Sequence, residues 1–153
     1  QQHDVSEEHP EVFQRLKTGY EDWFADVSST RPDNYAPPRI VIGTEHEART
    51  VLTRQDWRHA SGQPWGRGSN GFWLLEAPES GEYEVELIFK AGHPSGTATI
   101  TAGSSTMRVD IAANSARGHF AQLDVPGGKL RCSVDVEFDG KIQGPHQVIL
   151  IRK

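Results

Sequence analysis

The spacing of apolar and polar positions changes once along the chain. From Pro10 to about Val27 the sequence runs P-E-V-F-Q-R-L-K-T-G-Y-E-D-W-F-A-D-V. Val12, Leu16, Trp23 and Val27 recur at helical spacing, and Phe13, Tyr20 and Phe24 widen the stripe. Pro10 suits the first helical position, where its missing N–H has no partner to lose. Glu7, Glu8 and Glu11 crowd the positive end of the helix dipole. Asp4 and Glu7 stand at capping-box spacing, with Asp in the cap position. These features predict one amphipathic helix. Its stripe needs an apolar partner, because an isolated helix of this length is marginal in water.

Ser28 to Pro38 holds Ser-Ser, Arg-Pro-Asp-Asn and Pro-Pro, a run of chain breakers that reads as a loop. Beyond it the period falls from 3.6 to 2. Tyr83, Val85, Leu87 and Phe89 alternate with Glu82, Glu84 and Glu86, and Ala98, Ile100 and Ala102 with Thr97, Thr99 and Thr101. Met107, Val109 and Ile111 alternate with Arg108 and Asp110. Leu130, Cys132, Val134, Val136 and Phe138 alternate with Arg131, Ser133, Asp135 and Glu137. Such strands bury one face and wet the other, the antiparallel habit. Turn formers separate them at Glu79-Ser80-Gly81, Pro94-Ser95-Gly96, Pro126-Gly127-Gly128 and Asp139-Gly140, the last a hairpin signal. Further candidates at Ile40 to Ile42, Thr50 to Thr53, Gly71 to Ala77, Phe120 to Val125 and Gln147 to Arg152 bring the number to about nine. The predicted fold is mainly β: an antiparallel β-sandwich, jelly-roll or immunoglobulin-like, preceded by one amphipathic helix. The helical segment is expected over 1–30, a linker over 31–38 and the sandwich over 39–153.

Composition narrows the partners. With 153 residues the chain fits one domain with a short appendage, long enough for a real core. The formal charge is −5 and no Lys/Arg cluster stands out, so nucleic acid is not an expected partner. No apolar run approaches about 18 residues, so no membrane span is expected. The single Cys132 cannot close an internal disulfide, and on the inward side of its strand it reads as a buried, inert thiol. The chain opens on Gln1 rather than Met, without a signal-peptide pattern, and is expected to be a processed or excised piece.

The densest local chemistry lies from Arg54 to Trp73, R-Q-D-W-R-H-A-S-G-Q-P-W-G-R-G-S-N-G-F-W, which holds three of the four Trp. A saccharide presents apolar C–H faces ringed by hydroxyls. Aromatic faces beside planar hydrogen-bonding groups match that surface, and Arg adds charge-assisted bonds to sulfate, phosphate or carboxylate. The candidate ligand-binding residues are Trp65, Trp57, Arg54, Asp56, Arg58, His59, Arg67 and Asn70, with Gln63 beside them. Trp73 begins a strand and is expected in the core. Trp65, bracketed by Pro64 and Gly66, is the expected exposed platform, while Trp57 fits either role.

Other chemistry is thin. Seven His are scattered, and only Glu45-His46-Glu47 offers neighbouring ligands, without the spaced pairs of a zinc motif. No metal and no cofactor is expected. Calcium on loop carbonyls with Asp33 or Asp56 would suit a sandwich, but no spacing specifies it. The i, i+2 pairs Glu84/Glu86 and Asp135/Glu137 each share a strand face, where solvated charge is the plain reading and acid–base work the sharper one. There is no G-x-S-x-G elbow, and Gly66, Gly68 and Gly71 lead into a strand with no Lys-Ser/Thr following. No catalytic residue is expected.

Two stretches resemble a known family. H-D-V-S-E-E-H-P-E-V-F-Q-R-L-K-T-G-Y-E-D-W-F-A-D-V is similar to the segment near the C-terminal end of formylglycine-dependent type I sulfatases. P-P-R-I-V-I-G-T-E-H-E-A-R-T-V-L-T-R-Q-D-W-R, then G-F-W and S-G-E-Y-E-V-E-L, resembles the extra β-sandwich that follows it in bacterial arylsulfatase-like proteins. The likeness is strongest from His3 to Phe89. It implies a C-terminal accessory domain that recognises or positions a sulfated saccharide for an attached hydrolase, or else a structural cap with no ligand. It also implies a missing sulfatase catalytic domain as partner, and a periplasmic or secreted location. The family's C/S-x-P/A-x-R nucleophile motif is absent, since Cys132 stands in L-R-C-S-V-D-V. The chain alone is therefore not expected to be an enzyme.

Overall fold

The computed structural model describes residues 4–30, 38–58, 66 and 68–153. The chain divides into two compact units, Gln1–Pro37 and Pro38–Lys153. In the first, α1 spans Pro10–Ser29 with Pro10 opening it, as the sequence predicts. The capping expectation for Asp4 is corrected. Asp4 accepts from the Ser6 amide at 2.9 Å, which holds its carboxyl below the usual carboxylate range. That bond closes a separate turn, in which the Glu8 and His9 amides both reach the Val5 carbonyl at 3.1 Å. The helix proper starts later, at an N-cap His9 whose side chain makes no capping bond. Its end is set by hydroxyls: Ser29 and Thr30 donate back to the Asp26 and Val27 carbonyls at 2.6 and 2.7 Å, competing with the next helical turn. No residue of α1 is buried. Tyr20 stacks on Phe24 with centroids 6.2 Å apart, and both are exposed.

The second unit is the sandwich. Its strands are β1 (Ile40–Val41), β2 (Arg49–Thr53), β3 (Phe72–Ala77), β4 (Gly81–Ile88), β5 (Gly96–Ala102), β6 (Ser105–Ile111), β7 (Arg117–Val125), β8 (Gly128–Phe138), β9 (Lys141–Gln143) and β10 (Gln147–Arg152). One sheet has the order β1-β3-β8-β5-β6 with β9 folded onto β8, and the other β2-β10-β4-β7. All pairs are antiparallel except β1 with β3, which runs parallel. The nine expected strands are present, and β9 is the addition. Asp139 (φ 49°) and Gly140 (φ 73°) form the two-residue turn between β8 and β9, both in the left-handed region a primed hairpin turn needs.

Alternation decides the core. Tyr83, Val85 and Leu87 from one sheet meet Ala98, Ile100, Val134 and Val136 from the other, each 0% exposed. Trp73, Leu75, Leu52 and Leu150 complete the interior. Met107, expected on the inner face of its strand, is instead 38% exposed. It lies on β6, the last hydrogen-bonded strand of its sheet, and lines an open depression shared with Gln122, Leu123 and Asp124 of β7. Cys132 is fully buried, and loss of solvent pushes its thiol up to about 12.

Candidate ligand site at the loop end

The segment from Arg54 to Gly71 joins β2 to β3, and its described residues pack against the β9–β10 connection. Trp57 is central to that packing. It is 4% exposed, with its ring 5.7 Å from that of Trp73. Two glycines allow the backbone to close on the indole. A Cβ on Gly71 would lie 2.8 Å from Trp57 Cδ2, and one on Gly144 would lie 2.4 Å from Trp57 Cζ3. Trp57 is therefore a core residue and not an open platform, because both neighbours lack the side chain that would hold them away. Its Nε1 is buried without a hydrogen-bond partner among the described residues. Trp73 sits in the core as expected, 1% exposed, donating from Nε1 to the Thr53 carbonyl at 2.7 Å.

Arg54 lies with Cζ 4.8 Å from the centroid of the Trp57 ring. Its guanidinium donates to three backbone carbonyls: Gly144 at 2.7 Å, Pro145 at 3.0 Å and Gly66 at 3.5 Å. Burial lowers its pKa from the usual arginine value, which still leaves it charged. Arg54, a candidate ligand contact in the sequence, gathers three loop carbonyls around one cation. Asn70 is likewise engaged, donating from Nδ2 to Asp135 while its Oδ1 accepts from the Gly71 amide at 2.8 Å. Asp56 accepts from Thr53 Oγ1 at 2.8 Å and serves the turn after β2. Arg58 pairs through its backbone with Phe72, at 2.6 and 2.7 Å. His59, Gln63, Trp65 and Arg67 lie outside the described residues. The structure thus brings Arg54, Trp57 and Asn70 together around Gly144 and leaves Asp56 and Arg58 exposed.

Beside this packing lies a depression of about 340 Å³. It is lined by Arg54, Gly66 and Gly68, by Phe89 to His93 after β4, by Phe138 at the end of β8, and by Gln143, Gly144 and His146. Lys90 and His146 are exposed there, whereas Phe89, His93 and Phe138 are buried. Among the described residues no carboxylate stands in the lining. In a chain of formal charge −5 that is a local inversion of sign. Lys90, His93 and His146 were not singled out in the sequence. The available signal was the basic Gly/Pro-rich turn F-K-A-G-H-P-S-G after a strong strand. Two depressions at other loops, of about 440 and 350 Å³, both include Asp124.

The paired carboxylates are held by neighbours on β7: Glu84 faces His119 Nε2 at 2.8 Å, and Glu86 accepts from Arg117 at 2.9 Å. Among the described residues no three His, Cys, Asp or Glu side chains group closely enough to hold a metal. Among them, too, no helix is long and apolar enough to cross a membrane.

No protein-family model matches the chain, and no curated protein does. Three solved structures are similar in part. A ruminal GH26 endo-β-1,4-mannanase shares 10% identity over 68% of this chain and 26% of its own, with a TM-score of 0.48. A mannan binding module from Man5C shares 16% over 67% of this chain and 97% of its own, at 0.46. The Podospora anserina GH26-CBM35 β-(1,4)-mannanase shares 13% over 69% and 25%, at 0.44. The chain thus spans about a quarter of the length of the two mannanases. A likeness of this degree assigns neither family nor ligand.

Proposed function

We propose that the sandwich is a non-catalytic module that binds an anionic saccharide at the loop-end depression for an attached hydrolase. The observation that carries this reading is the lining: Arg54, Lys90, His93 and His146, with no carboxylate among the described residues, beside the rings of Phe89 and Phe138. Cations beside aromatic and amide groups suit a sugar bearing sulfate or carboxylate. The resemblance of His3 to Phe89 favours a sulfatase as the parent, a sulfated saccharide as ligand and an exported location. Trp65, Arg67 and His59 are carried in this reading as ligand contacts on the sequence alone, and Trp65→Ala weakens binding without lowering the melting temperature.

Calorimetric titration with carrageenan, fucoidan and heparan fragments, each sulfated and desulfated, tests it. Millimolar to micromolar Kd for sulfated forms is the expectation, with Lys90→Ala about tenfold weaker, the effect of one charge-assisted hydrogen bond. No heat with any of these at millimolar concentration would overturn the binding role. One observation favours a second reading, a structural cap of the hydrolase: Trp57 and Trp73 are both buried while the apolar stripe of α1 is exposed.

A further inference from the structure

His93, 8% exposed, has both ring nitrogens against backbone carbonyl oxygens. Nδ1 stands 2.8 Å from the Pro94 oxygen, and Nε2 stands 2.7 Å from the Ser115 oxygen. A carbonyl oxygen only accepts. A neutral imidazole carries one N–H and one lone pair, so it would satisfy one contact and oppose lone pair to lone pair in the other. The doubly protonated ring donates at both, and the distances fall in the range of charge-assisted bonds. The surrounding rings agree. Phe138 stacks on His93 with centroids 4.6 Å apart at 25°, offering its electron-rich face to a cation, and Phe89 meets it edge-on at 5.3 Å. The clasp also spans two loops, since the Asn114 amide donates to the His93 carbonyl at 2.9 Å.

The charged groups around the same depression, among the described residues, are Lys90 on the loop of His93, Arg54 after β2 and His146 before β10. All are basic and so oppose a further positive charge. Arg54 is already bonded to carbonyls, and Lys90 and His146 are exposed, where salt and water screen them. Set against that screened repulsion and the loss of solvent around the ring are two short donor bonds and the face of Phe138.

We propose that His93 is a fixed imidazolium, and that this unscreened buried charge is the specificity-determining residue of the depression, selecting saccharides that carry an anionic group. The second half rests on the binding role proposed above, while the first does not. The test starts with long-range ¹H–¹⁵N NMR of the unliganded full chain at pH 7. Protons on both His93 nitrogens are expected, and a single-tautomer pattern would overturn the charge state. The second arm titrates a carrageenan disaccharide and its desulfated counterpart into His93→Gln. Both N–H groups are committed to carbonyls, so the charge acts on a ligand through space, and affinity for the sulfated form is expected to fall about tenfold, with the desulfated form unchanged. Because that variant also opens a clasp between loops, the wild-type ring is followed as well, in a His146→Ala background. Sulfated-ligand affinity must fall in step with loss of the second His93 proton as pH rises. Affinity indifferent to that proton overturns the specificity role. Absence of binding by either saccharide overturns the binding role, and with it the selectivity, and leaves the NMR result to decide the charge.

Discussion

Trp57 and Arg54 hold the loop end as a pair, an indole packed between glycines beside a guanidinium that gathers three carbonyls. Trp57→Ala would leave a void against Trp73 that the flanking backbone cannot fill. A loss of about 3–5 kcal/mol is expected, as for buried aromatics generally, read as a lower midpoint in urea unfolding. An unchanged midpoint would mean that the ring is not packed as described. Cys132 makes a pH prediction. Its folded pKa, about 12, lies above the ordinary 9.0, so between these values the unfolded chain ionises while the folded one keeps its proton. Protons bound in the native state then exceed those in the unfolded state, and stability falls as pH rises through that window, by up to about 1.4 kcal/mol per pH unit. Urea unfolding at pH 8 and pH 10 should show a steeper loss for the native chain than for Cys132→Ala, which lacks the thiol. Equal losses would refute it. Native Cys132 should also resist iodoacetamide at pH 8 until urea is added.

At the scale of elements, α1 carries Gly19 in its interior, and a Cβ placed there meets nothing within 4 Å. Gly19→Ala should therefore stabilise the helix by about 1 kcal/mol, since glycine loses the most backbone freedom on folding. The readout is a rise in helical circular dichroism at 222 nm. No rise would argue against a helix in that segment. The strands were legible because each buries alternate residues, and Asp139-Gly140 because only a primed turn asks for two left-handed residues. β9 was not, since Lys141-Ile142-Gln143 is too short to alternate and Ile142 is 56% exposed. The side chain of Met107 follows the pattern but not the burial, since it lines an open depression shared with β7. Trp57 shows the limit most plainly. Its burial is made by Gly144, far along the chain, and no local pattern announces that contact. The depression is assembled from three loops, so its basic lining existed in the sequence only as separated residues.

At the scale of the whole molecule, the large buried side chains all belong to the second unit, from Ile42 to Leu150, and α1 contributes none. Stability follows burial of apolar surface, so residues 38–153 should fold alone. A chain lacking 1–37 is expected to melt within about 2 °C of the full chain while losing the helical dichroism. A drop of more than about 5 °C, roughly a kilocalorie per mole for a domain of this size, would show instead that the helix stripe contributes to the sandwich. The same deletion separates two properties of the full chain. Leu16, Tyr20 and Trp23 are 64%, 60% and 56% exposed on α1, and an apolar stripe in water favours association. Concentration-dependent light scattering should therefore disappear with the deletion, while binding of a sulfated fragment, if it resides in the loop-end depression, should persist unchanged. Loss of both together would move the ligand site to the first unit, and persistence of scattering would place the sticky surface on the sandwich.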